Sequence, residues 1–497
     1  MGQLRFRLHD RNRIAPEALS RIFVAGGDDI PWATRAWYDA DTLVVERQVD
    51  ESGYVHVPWE VSGAGRRLLC TSTLMERDEP YLLDVELARG LIHRLRSRLF
   101  IWEFMGLVTP PALRERLRDA VHSFATAATS QDNPAVAAKA ANEAIATALA
   151  LSVDLVRSYA EQTLAARQRQ TPAATLLGVT LGTTTPTVKT RRQVVDACTI
   201  AQLPMAWRAI DAVEGRRDWK ATDEQLAWCQ SAGLKIAGGP LLRMDERGVP
   251  DSLVLFEENN DKLQEVMLDH VRAVTSRYAG RVHLWHVASR VNSGQLLSLD
   301  EERKLNLVAQ ALHIVRQIDP RTPLVVSFDQ PWGEYLAGGE EDLAPWHYAD
   351  ALVRADLGIS GIGLEINAGY WPGGCTHRPA FEYGRLIDQW SLLGLPLMVT
   401  LAAPSAGGPD KLASPKVKAE PLGLTEGPGG NAPDPQVAWA SAVLPLLLAR
   451  NSVQVVMWNQ LTDAEPHEFA NAGVIDAAGN EKPTLGLLRD LRKTCIA

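Results

Sequence analysis

The spacing of apolar positions changes twice along the chain and divides it into three stretches. Over residues 1–82 the apolar residues come in short strand-like runs. RAWYDADTLVVERQVD and GYVHVPWEV flank Asp50-Glu51-Ser52-Gly53, which reads as a hairpin turn, and RRLLCTSTL, centred on Leu68, Leu69 and Cys70, is a third strand. A small β-rich domain, built as an antiparallel sandwich, is expected there. Over residues 83–171 the spacing becomes helical. ELARGLIHRLRSRLFIWEFMGL places Leu87, Leu91, Ile92, Leu95 and Leu99 three and four apart, Pro110-Pro111 interrupts it, and Asn133-Pro134 opens a long alanine-rich helix. That stretch is expected to be a helical hairpin connecting its neighbours, with a face available for a homo-oligomer contact.

From residue 172 to 497, apolar strands alternate with amphipathic helices, the pattern of parallel βα units. The strand candidates are ATLLGVTLG, LPMAWRAI, LKIAGGPLL, VHLWHVAS, PLVVSFD, GISGIGLEIN, PLMVTLA and VQVVMWNQ. Helical stretches such as DEQLAWCQSAG, EVMLDHVRAVTSRYAG, EERKLNLVAQALHIVRQI and EYGRLIDQWSLLG lie between most of them. The fold class expected is therefore α/β, a (β/α)8 TIM barrel over 172–497. The Pro/Gly-rich segment 404–435 after the seventh strand reads either as a functional lid or as a partly unstructured stretch.

In such a barrel the carboxyl ends of the strands carry the site. In VHLWHVASRVN, Val282 to Asn292, an apolar run breaks into Ser289, Arg290 and Asn292, which puts His286, Ser289 and Arg290 at that end.

Composition narrows the function. The chain has 497 residues, 46% hydrophobic and 22% charged, as in an ordinary globular protein, and its net charge of −9 leaves no basic excess for nucleic acid. No paired cysteines at zinc spacing and no nucleotide-cradling glycine motif occur, so no metal or cofactor is expected. The amino terminus lacks the apolar core of a signal peptide and no uninterrupted apolar run reaches about 18 residues, so no membrane partner is expected. Cys70, Cys198, Cys229, Cys375 and Cys495 are odd in number and scattered, which favours free thiols and the cytoplasm, or a secreted protein if a leader has been trimmed.

Six segments, in order and at matching spacing, resemble the family-10 glycoside hydrolases, typified by xylanases, over roughly residues 195–490. They are PMAWRAIDAVEGRRDW, ATDEQLAWCQSAGLKIAGGPLL, LWHVASRV, GISGIGLEIN, LGLPLMVTLAAP and VQVVMWNQLTDAEPHEFANAGVIDAAGNEKPTL. The resemblance implies a polysaccharide or oligosaccharide as partner, and an accessory carbohydrate-binding role is open for residues 1–82 beside that of a ligand-free packing domain. It also implies losses. The family's acid/base glutamate falls on Arg290 and its nucleophile on Leu401. The supporting Lys, His, Trp, Asn and His fall on Ala206, Gly239, Arg243, Ser289 and Asn367. Retaining glycosidases need two carboxyls ~5–5.5 Å apart. A leucine has no nucleophilic atom, and an arginine that stays charged to a pKa above about 12 cannot shuttle a proton.

A different polar set stands at the strand ends. Asp329 keeps a family aspartate and Glu365 replaces a glutamine; these two are the candidate catalytic pair, in an inverting arrangement that tolerates ~6.5–9.5 Å. Asp245, His286, Asp463 and Glu465 are the other polar residues there. The favoured alternative is that Glu365 and Arg290 form an ion pair that fills the emptied site. Candidate stacking residues are Trp207, Trp332, Trp371 and Trp458, with Tyr335, Trp346 and Tyr370 beside them, whereas Trp228, Trp285 and Trp390 read as core. The candidate substrate-binding set is thus Trp207, Asp245, His286, Arg290, Trp332, Asn367, Trp371 and Trp458, and Arg243 with Arg290 would favour an acidic glycan. Three functions remain: a hydrolase with a rebuilt site, a non-catalytic carbohydrate-binding pseudo-glycosidase, and an assembly protein.

Overall fold

Eight strands occupy the first 82 residues: β1 (Gly2–Arg7), β2 (Phe23–Ala25), β3 (Pro31–Trp32), β4 (Thr34–Asp39), β5 (Thr42–Arg47), β6 (Tyr54–Val61), β7 (Gly65–Cys70) and β8 (Tyr81–Leu82). The structure is a computed structural model that describes residues 2–169, 174–210, 217–251, 259–294, 296, 299–424 and 433–496. The DAVEGR part of the second-strand segment, the 170–173 junction and residues 425–432 of the Pro/Gly-rich stretch lie outside the described residues.

The strands form two four-stranded sheets, in the orders β4-β5-β1-β8 and β3-β2-β6-β7. Leu4, Phe6, Val45, Val57 and Trp59 are buried, as period-two alternation requires. The expected hairpin at Asp50–Gly53 does not form. β5 pairs with β1 and β4, while β6 pairs with β2 and β7, so that turn carries the chain from one sheet to the other.

Three helices follow, one more than a hairpin: α1 (Leu83–Phe104), α2 (Pro111–Thr129) and α3 (Pro134–Gln168). Proline starts α2 and α3, and the Asn133 side chain caps α3 by accepting from the Val136 amide. α3 is long and apolar enough to cross a bilayer by composition. Here it is a packing helix, with Ala141, Ile145, Ala148, Leu155 and Val156 buried against its neighbours.

The barrel strands are β9 (Leu176–Thr180), β10 (Ile200–Leu203), β11 (Lys235–Gly238), β13 (Leu284–Ser289), β14 (Leu324–Asp329), β15 (Gly361–Asn367), β17 (Leu397–Ala402) and β19 (Val453–Trp458). Short pieces β12 (Leu242–Arg243), β16 (Tyr370–Trp371) and β18 (Lys418–Ala419) stand between them. All eight pair in parallel, and the β19–β9 and β11–β13 ladders close the ring. Helices α4 (Val188–Ala197), α5 (Trp207–Ile210), α6 (Lys220–Ser231), α7 (Asn260–Tyr278), α8 (Glu301–Ile318), α9 (Pro345–Arg354), α10 (Ala380–Trp390), α11 (Pro435–Leu448) and α12 (Pro483–Cys495) lie between and after the strands. The molecule is thus a (β/α)8 barrel with an added β-rich domain at its amino end. The second strand differs from expectation. It is Ile200–Leu203, and the segment beginning Leu203 turns through Pro204 into α5.

Part of the Pro/Gly-rich segment is an ordered strap across the carboxyl end of the barrel. Lys416 pairs with Glu246 on the rim at 2.7 Å, and β18 pairs with β16. Beyond it, Glu420 takes Arg21 and Arg66 of the β-rich domain at 2.7 and 3.1 Å. The strap therefore ties the barrel mouth to the amino-terminal sheets.

Candidate functional site

Inward-facing side chains fill the barrel in layers. Leu176, Ile200, Ala237, Leu284, Val325, Met398, Val455 and Met457 make an apolar floor. Two residues further along the strands the interior turns polar, with Gln202, His286, Ser327, Glu365 and Thr400. Gly363 makes room for this layer, since a Cβ there would lie 2.5 Å from the Ser327 Cβ. Above the layer opens a cleft of about 670 Å³, whose lining includes Thr180, Gln202, Arg208, Arg243, Arg247, His286, Ser289, Glu365, Thr400 and Asn459.

The polar layer is a chain of hydrogen bonds. Gln202 Nε2 donates to His286 Nδ1 at 3.0 Å, His286 Nε2 meets Ser327 Oγ at 2.8 Å, and Ser327 Oγ donates to Glu365 Oε1 at 2.8 Å. Burial pushes the His286 imidazole down to about 4, against the pull of Glu365, so it is neutral at pH 7 and its Nε2–H donates to the serine.

At the end of β13 a register shift between His286 and Ala288 turns Ser289 into the cleft. Arg290 follows with a φ of 57°, in the left-handed region, and its side chain is buried among carboxylates beside the cleft. There it is 6% exposed and holds three carboxylates. Its Nε lies 3.2 Å from Glu365, and its Nη1 lies 3.0 Å from Asp245 and 2.6 Å from Glu468. Arg243 closes the array with contacts of 2.8 Å to Asp245 and 2.5 Å to Glu468. Burial opposes ionisation of Asp245 and Glu468, but Arg243 and Arg290 together hold both carboxyls below their usual range. Two arginines and three carboxylates thus form a lattice under the mouth with one carboxylate in excess.

Asp329 lies behind this lattice, 2% exposed, with Asn367 Nδ2 donating to its Oδ1 at 3.1 Å. Burial, with Glu365 and Glu468 adding to it and Arg290 opposing it, pushes its carboxyl up to about 7. Glu365 lines the cleft and Asp329 does not. Asn367 is likewise buried and bonded to Asn459 at 3.3 Å.

The tryptophans do not converge on the cleft, and this corrects the expectation from the sequence. Trp458 is core: it is 1% exposed, donates to the Ala472 carbonyl at 2.8 Å and packs against Trp439. Trp332 faces the amino-terminal domain, where it lines a cavity with Phe23 and His56 and carries the Arg378 guanidinium over its ring. Trp371 lies under Arg21, paired through β16 with the strap. Trp207 lies on α5 with its ring stacked on His270, between the cleft residues Ala206 and Arg208 in sequence. Tyr335 donates to the Leu343 carbonyl, Tyr370 is buried, and Trp346 packs against the core from its half-buried position. Among the described cleft residues there is no tryptophan, tyrosine or phenylalanine. Leu401 is a second correction. It is fully buried in the helix-facing core, and the alternate residue Thr400 faces the mouth.

Asp463 and Glu465 after β19 have structural partners. Lys482 Nζ sits 2.5 Å from Asp463, and Glu465 accepts the Thr183 and Thr184 amides. Asp410, Asp463 and His467 bring ligand atoms within 4.8 Å of one another, but the Lys482 ammonium already supplies the cation.

Sequence reasoning missed Glu468, Gln202, Ser327 and Arg247. Glu468 lies in the EPHEFA loop, where nothing in the local pattern distinguishes it from Glu465. Gln202 interrupts an apolar strand, and a polar residue inside a run of buried ones is the signal that would have found it.

Comparison with known proteins gives one family. The profile of Glycosyl hydrolase family 10 matches residues 174–326. Endo-1,4-beta-xylanase A of Fusarium oxysporum f. sp. lycopersici is 32% identical over 170 residues, which are 33% of this chain and 49% of that protein. Endo-1,4-beta-xylanase 1 of Gibberella zeae is 25% identical over 167 residues, 33% of this chain and 46% of that protein. The chain spans about half the length of these curated relatives. Among solved structures, native xylanase 10B from Thermotoga maritima superposes with a TM-score of 0.48 at 15% identity, covering 65% of this chain and 95% of that one.

Proposed function

From a barrel that is similar to the family-10 xylanases, we propose that this protein holds an oligosaccharide in its cleft and does not cleave it by the retaining route. The observation that carries this reading is the Arg290 lattice. A guanidinium bonded to three carboxylates cannot deliver and retrieve a proton, and it occupies the position where the resemblance puts the acid/base. The seventh strand offers Thr400 to the cleft and turns Leu401 away, so among the described residues that strand brings no carboxylate to the cleft. With no tryptophan, tyrosine or phenylalanine among the described cleft residues, recognition falls to amides, hydroxyls and guanidiniums, which bond sugar hydroxyls directionally.

A second reading, inverting hydrolysis by Asp329 and Glu365, draws on the carboxyl of Asp329 retaining its proton near pH 7. Against it, Asp329 is shut away from the cleft and Glu365 is already bound by Arg290 and Ser327.

Calorimetric titration with neutral and acidic xylo-oligosaccharides, followed by analysis of the recovered ligand, tests both. Binding with the ligand returned intact is expected. Release of α-configured products supports inversion, and no heat with either ligand overturns glycan binding in favour of an assembly protein.

A further inference from the structure

Resting on the reading of the cleft as a glycan site, we propose that Arg247 is its specificity residue and selects glycans that carry a carboxylate, such as a uronic acid branch. The two arginines that the sequence offered for this task, Arg243 and Arg290, are consumed by Asp245, Glu365 and Glu468. Arg208, on the same wall, is tied to Asp251 and to the Val249 carbonyl. Arg247 lines the cleft, half-buried, and none of the described residues places a carboxylate within ion-pair distance of it.

Its backbone is held as a presenting turn. The Gly248 amide donates to the Asp245 carbonyl at 2.9 Å, and the Arg247 amide donates to Asp245 Oδ1 at 3.1 Å. Gly248 is required there, because a Cβ would lie 2.2 Å from the Arg243 carbonyl oxygen. The Arg208 amide then donates to the Gly248 carbonyl at 3.2 Å, fixing the turn against α5. The lattice under the mouth therefore does a second task. Through Asp245 it anchors the turn from which the Arg247 guanidinium reaches the cleft. Burial already lowers the affinity of Arg247 for its proton, so a ligand carboxylate restores what desolvation removed. A planar guanidinium and a carboxylate meet through two parallel hydrogen bonds, a geometry that hydroxyl groups do not match.

The test compares a glucuronate-branched xylo-oligosaccharide with the unbranched neutral one of equal backbone length, titrated into the full chain. The parent should bind the acidic ligand at least about tenfold tighter, with the difference shrinking as salt rises. Arg247→Gln should abolish the ratio of acidic to neutral affinity, and Arg247→Lys should keep part of it. Neutral ligand bound with no acidic preference, or a preference that survives Arg247→Gln, overturns the assignment while leaving the cleft as a glycan site. Failure of both ligands to bind the parent overturns the site itself.

Discussion

Replacing Arg290 with methionine is the sharpest perturbation of the charge lattice. Methionine keeps an unbranched stem and makes the same demand on the left-handed backbone, so the change is confined to the guanidinium. Asp245 and Glu468 would each keep Arg243, at 2.8 and 2.5 Å. Glu365 would keep only the Ser327 hydroxyl at 2.8 Å. The cost is therefore concentrated on one buried carboxylate, and breaking a buried pair from one side costs about 3–5 kcal/mol. Adding Glu365→Gln in the same chain removes that charge and should recover about 1–3 kcal/mol, the coupling expected of residues in contact. Equilibrium urea unfolding followed by tryptophan fluorescence on the parent, both single variants and the double variant measures it. The lattice is buried, so added salt should change the result little. An Arg290→Met chain as stable as the parent, or no recovery in the double variant, would refute the reasoning.

Asp329 titrates in the folded chain at about 7, above the ordinary ~3.9, so the folded form holds this proton where the unfolded form has lost it. Its contribution is full below about pH 4 and lost as pH rises towards 7; Asp329→Asn should flatten that part of the urea-midpoint profile, and parallel profiles would contradict it. Leu401→Glu should bury a charge against the helix layer and destabilise the barrel, by circular dichroism, rather than install a nucleophile; a folded, hydrolytic variant would show that the strand phase is wrong. Trp371→Ala should leave glycan affinity unchanged in calorimetry, because its ring faces Arg21; a loss of more than about tenfold would return it to the cleft.

The barrel was legible because its strands are apolar runs bounded by helices, and seven of the eight segments hold a strand where the pattern put it. The second was displaced because Pro204 and the aromatic that follows looked like strand interior, while the true strand is four residues long and contains Gln202. The ion pair between Arg290 and Glu365 was foreseeable from two charges of opposite sign at the ends of strands separated only by β14. Glu468 was not, since it reaches the lattice from a loop more than 170 residues away in the chain: its separation from Arg290 is 178. The tryptophans misled for a physical reason. Aromatics at strand ends serve a domain interface as well as a ligand cleft, and here the amino-terminal sheets cover that side of the barrel mouth. The sequence carries no mark that distinguishes a ring packed on another domain from one awaiting a sugar.

The most direct measurement is a proton NMR time course of a xylo-oligosaccharide incubated with stoichiometric protein. Ligand resonances should broaden or shift on mixing, and no new anomeric signals should appear. New reducing-end signals, with the β anomer emerging first, would mean retaining cleavage and would contradict the account at its centre.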